Sequence, residues 1–334
     1  MSREAGSRFA GKNIVIIGGG TGTSTLLQGL KKYPVDLSVI VSTADDGGST
    51  GILRKELGVI PPGDIRQCLL ALSDVPKEVK ELFNFRFSSG KLKGHNAGNI
   101  ILAALEKISG IEEGVSLASK MLNVRGQVLP VSLTPTTLSA ILQNGKKIVG
   151  EHFIDDRKPI GKASPIKNLR LSAAKANPRA LKALGEADAI VFGPGDLYTS
   201  VLPSLLVSGI NGAINRSKAK KLLVTNIMTK FGQTDGFKAS DFVTETEAYL
   251  KGKIDYVLAN NKKPSQEILR KYVKEKAEFV ETDINALAKT KAETIALNLL
   301  SDSIIKKTAG DSLKRSWLRH DSEKLAKIIW ELIS

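Results

Sequence analysis

The chain has 334 residues, 42% of them hydrophobic and 5% aromatic, with 49 basic against 34 acidic residues for a net charge of +15. That length supports one large α/β domain or two small ones, and no run of about 18 apolar residues offers a membrane-spanning helix. The start, "MSREAGSRFAGK", lacks the apolar core of a secretion signal, and a single cysteine excludes an internal disulfide framework, so a reducing cytoplasm is the expected location.

A charge of this sign raises nucleic acid as a partner, but the lysines are spread along the chain and no dense basic block interleaves with aromatic residues. Nucleic acid is therefore disfavoured, and a basic surface that draws anionic small molecules fits the composition. Cys68 lies in the apolar run "CLLAL" and reads as core rather than nucleophile.

In chain order, residues 1–12 read as a disordered lead. "NIVIIG" (13–18) predicts a buried strand, "TSTLLQGLKKY" (23–33) a helix with Thr23 or Ser24 near its N-cap, and "DLSVIVST" (36–43) a second strand. Strand, glycine turn, helix and strand within about 30 residues make a βαβ unit and imply a parallel sheet. The stretch 44–64, "ADDGGSTGILRKELGVIPPGD", reads as a long irregular loop because of its glycine content. Helical patterns resume at 64–74, 77–87, 96–109 and 111–122. "TTLSAILQNGKKIVGEH" (136–152) predicts a hairpin with Asn144–Gly145 as a type I′ turn, and hence an appended lobe around 125–175. Further strands are expected at 187–196, 221–226 and 254–260, with a helix between the last two. A C-terminal helix is expected over 322–333, with Ser322 as candidate N-cap.

Four loops carry chemistry. In "GGGTGTST", Gly18 and Gly20 match the first two glycines of a dinucleotide fingerprint, Gly22 falls one place early, and Thr23 stands at the third position. No G-K-[ST] follows, so a P-loop is excluded; glycine amides at a helix start still suit an anion. Asp45 and Asp46 follow the second strand, where open α/β sheets place ligands. Such a pair can hold Mg²⁺, accept a hydroxyl, act as a base, or simply form a turn. In "GHNAGN", His95, Asn96 and Asn99 open a helix, where the amides either cap it or grip ligand hydroxyls. In "FGPGDLYTS", Gly193 and Gly195 again join strand to helix, and Thr199 and Ser200 add hydroxyls in a geometry suited to phosphate; the alternative is a helix capped by Asp196.

"GGGTGTSTLLQGL", "VSTADDGGSTGILR", "PPGDIRQCLLALSD", "GHNAGNIILAAL", "FGPGDLYTSVLPSLL" and "TNIMTKFGQTDGF" together resemble the gluconeogenesis factor (YvcK-like) family, which is related to 2-phospho-L-lactate transferase, the CofD enzyme of coenzyme F420 assembly. The resemblance spans about residues 12–332. It implies a Rossmann-like three-layer α/β fold with a mainly parallel sheet and a smaller appended lobe including the hairpin. One branch implies a cytoplasmic regulator of cell shape and envelope metabolism under gluconeogenic growth that binds uridine-diphosphate sugars. The other implies a phospholactyl transferase that uses a nucleoside-diphosphate-linked donor with Mg²⁺. The "ADDGGSTG" form and the C-terminal "LRHDSEKLAKII" resemble the first branch more closely.

On that reading Gly18, Gly19, Gly20, Thr21, Gly22 and Thr23 and the turn 193–196 cradle diphosphate, with hydroxyls from Thr21, Thr23, Thr199 and Ser200. Asn96 and Asn99 hold sugar or ribose hydroxyls, with His95 beside them. Asp46, and after it Asp45, holds a hydroxyl or Mg²⁺, and Asp46 is the catalytic base if the protein is a transferase. Arg319, ahead of His320 and Asp321, pairs with phosphate. The expected partner is a nucleotide sugar; a homo-oligomer and a regulatory protein partner are both compatible with the chain.

Overall fold

The computed structural model describes residues 11–302 and 316–334. Of the expected lead over 1–12, residues 1–10 lie outside the described residues, and Lys12 already opens the first strand. The strands are β1 (Lys12–Ile17), β2 (Val35–Val41), β3 (Gln127–Pro130), β4 (Leu138–Leu142), β5 (Lys147–Val149), β6 (Ile166–Leu171), β7 (Ala189–Phe192), β8 (Lys220–Val224), β9 (Tyr256–Asn260) and β10 (Glu293–Leu297). Seven form one sheet in the order β10-β9-β8-β7-β1-β2-β3, with every neighbouring pair parallel. The others form a three-stranded antiparallel sheet, β5-β4-β6.

Alternation along the central strands divides the interior in two. Val15 and Ile17 of β1 join Ile190 and Phe192 of β7 on one face; Ile14 and Ile16 join Ala189 and Val191 on the other. The first face is covered by Leu138, Ala140 and Leu169 of the small sheet and by the helices 178–186 and 239–250. The second is covered by α1 (Gly20–Leu30), α3 (Pro62–Leu72) and the C-terminal helix Ser322–Ile333. Cys68 is buried in this second core as a free thiol. Each fully buried Ile or Val stabilises by about 1.5–3 kcal/mol. That outweighs the ~1 kcal/mol cost of a helix start without a side-chain cap, which matters because α1 has none.

Five local expectations change. α1 starts at Gly20, not near Thr23, with Gly19 as its N-cap. The stretch 44–64 holds α2 (Gly48–Leu57), a ten-residue helix that buries Leu53 and stops at the left-handed Gly58. Its glycines masked a short amphipathic pattern. The hairpin turn is not type I′: Gly145 has φ +83 whereas Asn144 is not left-handed, and Gly145 N donates to Leu142 O while Leu142 N donates to Lys146 O. That is a type I turn closed by one left-handed glycine. The C-terminal helix is capped by Asp321, whose Oδ1 accepts from Glu323 N and Lys324 N, rather than by Ser322. β3, inside the stretch expected to form the lobe, is the edge strand of the large sheet.

α4 (Lys77–Asn84) and α5 (Ala97–Ser109) complete the helical layer near the site. No described helix is long and apolar enough to cross a membrane.

Candidate functional site

β1 leads through α1 to β2 on one side, while its other neighbour, β7, leads through helices to β8 on the opposite side. The chain order therefore reverses between β1 and β7, and the carboxyl ends of these two strands define the switch point at which open α/β sheets bind ligands. Gly18 N donates to Ile40 O and Gly193 N to Ile17 O, so both glycine turns leave the sheet as continuations of its ladders.

The two turns meet. The Thr23 hydroxyl donates to Pro194 O at 3.0 Å, within the turn that contains the cis Gly193–Pro194 peptide. A methyl group at Gly22 would lie 2.7 Å from Pro194 O, so the approach requires bare backbone there, while one at Gly195 would meet Gly19 O at 3.4 Å, an ordinary contact. Gly19 and Gly20 open α1 with an extended residue followed by one at φ +68; Gly47 and Gly48 open α2 in the same way, with Gly48 at φ +45. Neither helix has a side-chain cap. Asp64 meets the Gly20 amide of α1, and the remaining first-turn amides of the two helices are not taken up by their N-cap residues, which is the arrangement that binds anions at helix N-termini.

Carboxylates flank this wall. Asp64, in the first turn of α3, fills the space beside Gly19 and faces Gly20 N–H. Burial, reinforced by Asp45, pushes its pKa up to about 7. Asp45 accepts from Gly47 N at 2.9 Å and is pushed up to about 6, again by burial, with Asp46 and Asp155 adding repulsion. Burial, with repulsion from Asp45, Asp155 and Asp64, raises Glu151 well above the ordinary carboxylate range. Lys230, after β8, joins Asp196 Oδ2 at 2.6 Å and also Asp155 Oδ1. Burial opposes ionisation of Asp155, but Lys230 outweighs it and the net shift is downward. For Asp196 burial prevails and the shift is upward.

The expected site residues divide into two groups. Gly18, Gly19, Gly20, Gly22, Gly193 and Gly195 converge on the switch point, with Thr21 and Ser200 beside them. Thr23 and Thr199 are there too, but their hydroxyls are committed: Thr23 to Pro194 O, and Thr199 to Asp155 Oδ1 at 3.1 Å. They position the loops rather than offer a proton to a ligand. Asp196 does not cap the following helix; its side chain turns to Lys230, while its carbonyl accepts from Ser200 N and Val201 N in a π-helical turn, Leu197–Val201. Asp46 Oδ1 accepts from His152 N at 2.8 Å and so holds the start of the short helix Glu151–Asp155.

His95, Asn96 and Asn99 have their side chains engaged within the protein. Asn96 and Asn99 are 2% and 4% exposed. Asn96 Oδ1 caps α5 at Asn99 N, and its amide donates to Asn84 O. Asn99 Oδ1 accepts from Arg66 Nε, and its amide points at Ser49 Oγ, which also meets His95 Nδ1 at 3.2 Å. With both amides satisfied internally, this motif fastens α5 to α2 and α3. The Arg319 carbonyl accepts from Ser301 N, and the next residue, His320, bridges Leu300 and meets the backbone of Thr225, directly after β8.

Asp64, Glu151, Asp155, Lys230 and Gln233, whose amide donates to Asp155 Oδ1 at 3.2 Å, carry no signal in the sequence reading. Asp64 and Lys230 sit inside the quoted motifs "PPGD" and "TKFGQTDGF", but a charge in a motif carries no role until its partner is known. Among the described residues, no three His, Cys, Asp or Glu side chains are grouped to hold a metal ion.

The family model for 2-phospho-L-lactate transferase CofD matches residues 14–300. The gluconeogenesis factor of Bacillus subtilis is 41% identical over 325 residues, 96% of this chain and 98% of that protein. The gluconeogenesis factor of Halalkalibacterium halodurans is 42% identical over 325 residues, 96% of each. The crystal structure of a UPF0052 family member from Bacillus halodurans has a TM-score of 0.89 and 41% identity, covering 96% of this chain and 99% of that one. The chain belongs to the CofD family and, within it, stands with the gluconeogenesis factors.

Proposed function

We propose that the chain binds a nucleoside-diphosphate sugar, of the uridine class, across the carboxyl ends of β1, β2 and β7, and acts through that binding as a cytoplasmic regulator of envelope metabolism and cell shape under gluconeogenic growth. The observation that carries this reading is the convergence of two glycine turns at the switch point, each leaving backbone amides for an anion. The diphosphate lies on the amides of Gly19, Thr21 and Gly22 and of Gly195 and Asp196, since those of Gly18 and Gly193 are spent on the sheet ladders and Asp64 meets that of Gly20, with the hydroxyls of Thr21 and Ser200 in reach. A diphosphate among carboxylates is opposed by their charge. Burial answers that by holding Asp45, Asp64 and Glu151 towards their protonated forms, and Lys230 offsets Asp155 and Asp196. Asp46 offers its second oxygen to a ligand hydroxyl. Mg²⁺ fits this reading as an ion held by Asp46 or Asp45 together with the ligand's phosphates, since it takes one or two carboxylates and completes its shell with phosphate oxygens and water.

A second reading, a transferase of the phospholactate type, is favoured by one observation. Asp64 and Asp45, with pKa values of about 7 and 6, lie in the range of a general base that takes the proton of an acceptor hydroxyl. Calorimetric titration with uridine-diphosphate-N-acetylglucosamine, guanosine diphosphate and NAD separates the two. The regulator reading expects binding of the uridine compound and none of NAD. Tight binding of guanosine diphosphate with turnover of a deazaflavin alcohol establishes the transferase instead, and no binding of any uridine nucleotide overturns the regulator.

A further inference from the structure

The short helix Glu151–Asp155 carries an unusual pair at its start. Phe153 is 66% exposed, and its ring lies 5.6 Å from that of the exposed His152, at an interplanar angle of 56°. A lone exposed phenylalanine needs no explanation; the placement of this one does. Asp46 Oδ1 holds His152 N at 2.8 Å, fixing the helix start to the loop after β2. Gly150, at φ +103, lets the ring fold back: a methyl group there would sit 3.0 Å from Phe153 Cδ2 and 2.9 Å from Asp46 Oδ2. His152 Nδ1 and Asp45 Oδ1 likewise flank Gly47, at 3.2 Å and 3.4 Å from where its Cβ would be. The two rings therefore stand at the mouth of β2, in one continuous wall with Asp45, Asp64 and the Gly19–Gly20 turn.

In doubly wound sheets the nucleoside half of a nucleotide lies on the β2 side of the phosphate turn, its ribose against acidic residues at the β2 terminus. We infer that Phe153 is the platform on which the nucleobase stacks, with His152 at its edge. This assignment rests on the nucleotide reading above and adds the side chain that grips the base. Stacking on an aromatic ring is worth about 5- to 150-fold in affinity and tolerates any base. An exposed ring held by backbone contacts meets that need, because no buried partner has to be broken when the base arrives.

The test is calorimetry of the intact protein with uridine diphosphate and, separately, inorganic pyrophosphate. Phe153→Ala is expected to weaken uridine diphosphate by about 5- to 150-fold and to leave pyrophosphate within twofold, while Phe153→Trp keeps both. Uridine diphosphate affinity that survives Phe153→Ala overturns this assignment alone. An equal loss for pyrophosphate also overturns it, since the substitution then acts on the phosphate wall. If the unsubstituted protein binds no uridine diphosphate, the nucleotide reading fails and this assignment fails with it.

Discussion

Thr23, in α1, donates its hydroxyl to the carbonyl of Pro194 at 3.0 Å, across 171 residues of chain. It is the direct tie between the two glycine turns. Thr23→Val keeps the shape and leaves Pro194 O unsatisfied in a buried place, at a cost of about 1–3 kcal/mol. Urea denaturation should show that loss as a lower midpoint with unchanged slope, and Thr23→Ser should recover most of it. A midpoint unchanged in Thr23→Val shows that the tie does not stabilise the fold.

Asp64 gives the ligand-free protein a pH dependence whose sign follows from its environment. Its folded pKa of about 7 stands above its ordinary value of 3.8. Between those values the folded chain keeps a proton that the unfolded chain releases. The stability is therefore present at low pH and lost as pH rises through the window from about 4 to 7, by on the order of a few kcal/mol. Asp45, at about 6, acts in the same direction. Asp64→Asn, measured by chemical denaturation at intervals from pH 5 to 8, should flatten the slope. An unaltered slope assigns it to other groups.

His320 works in the opposite sense. Burial lowers its pKa to about 4, below the ordinary 6.5, although Thr225 partly opposes the shift through a backbone hydrogen bond. The unfolded chain takes up a proton between about pH 6.5 and 4 while the folded chain does not, so stability falls as pH drops through that window. His320→Gln should remove this acid-side slope in the same denaturation series. Its persistence would assign the slope to other groups, such as Asp155 with its lowered pKa.

Lys230 balances Asp155 and Asp196. Lys230→Met leaves both carboxylates without their counter-charge. The three side chains are 32%, 33% and 38% exposed, so solvent screens part of the penalty and the expected loss is about 1–3 kcal/mol, less than for a fully buried pair. Adding Asp196→Asn to Lys230→Met should restore part of the loss, because one unpaired charge is then removed. Strictly additive effects in that double-mutant cycle would show that the two side chains do not interact.

The glycine turns were readable because each is local: an apolar run, glycines and an amphipathic helix within a few residues. The roles of the amides were not. Asn96 and Asn99 carry the same groups whether they meet a sugar or Arg66 and Ser49, and only packing chooses between those partners. Thr23 was expected to face a ligand and instead faces Pro194. Asp64 went unnoticed because an acid in the first turn of a helix is ordinary in sequence; its pKa and its place beside Gly19 come from α3 packing against α1.

Hydrophobic spacing alone therefore settles that this is an α/β chain with glycine turns at its strand ends, since period and turn chemistry are properties of neighbouring residues. It does not settle which strand lies beside β1. Strands buried on both faces all read as apolar runs, so their order in the sheet leaves no local trace. Tertiary structure placed β7 there, and with that choice brought Gly193–Asp196 against Gly18–Thr23 and made two separate turns into one site.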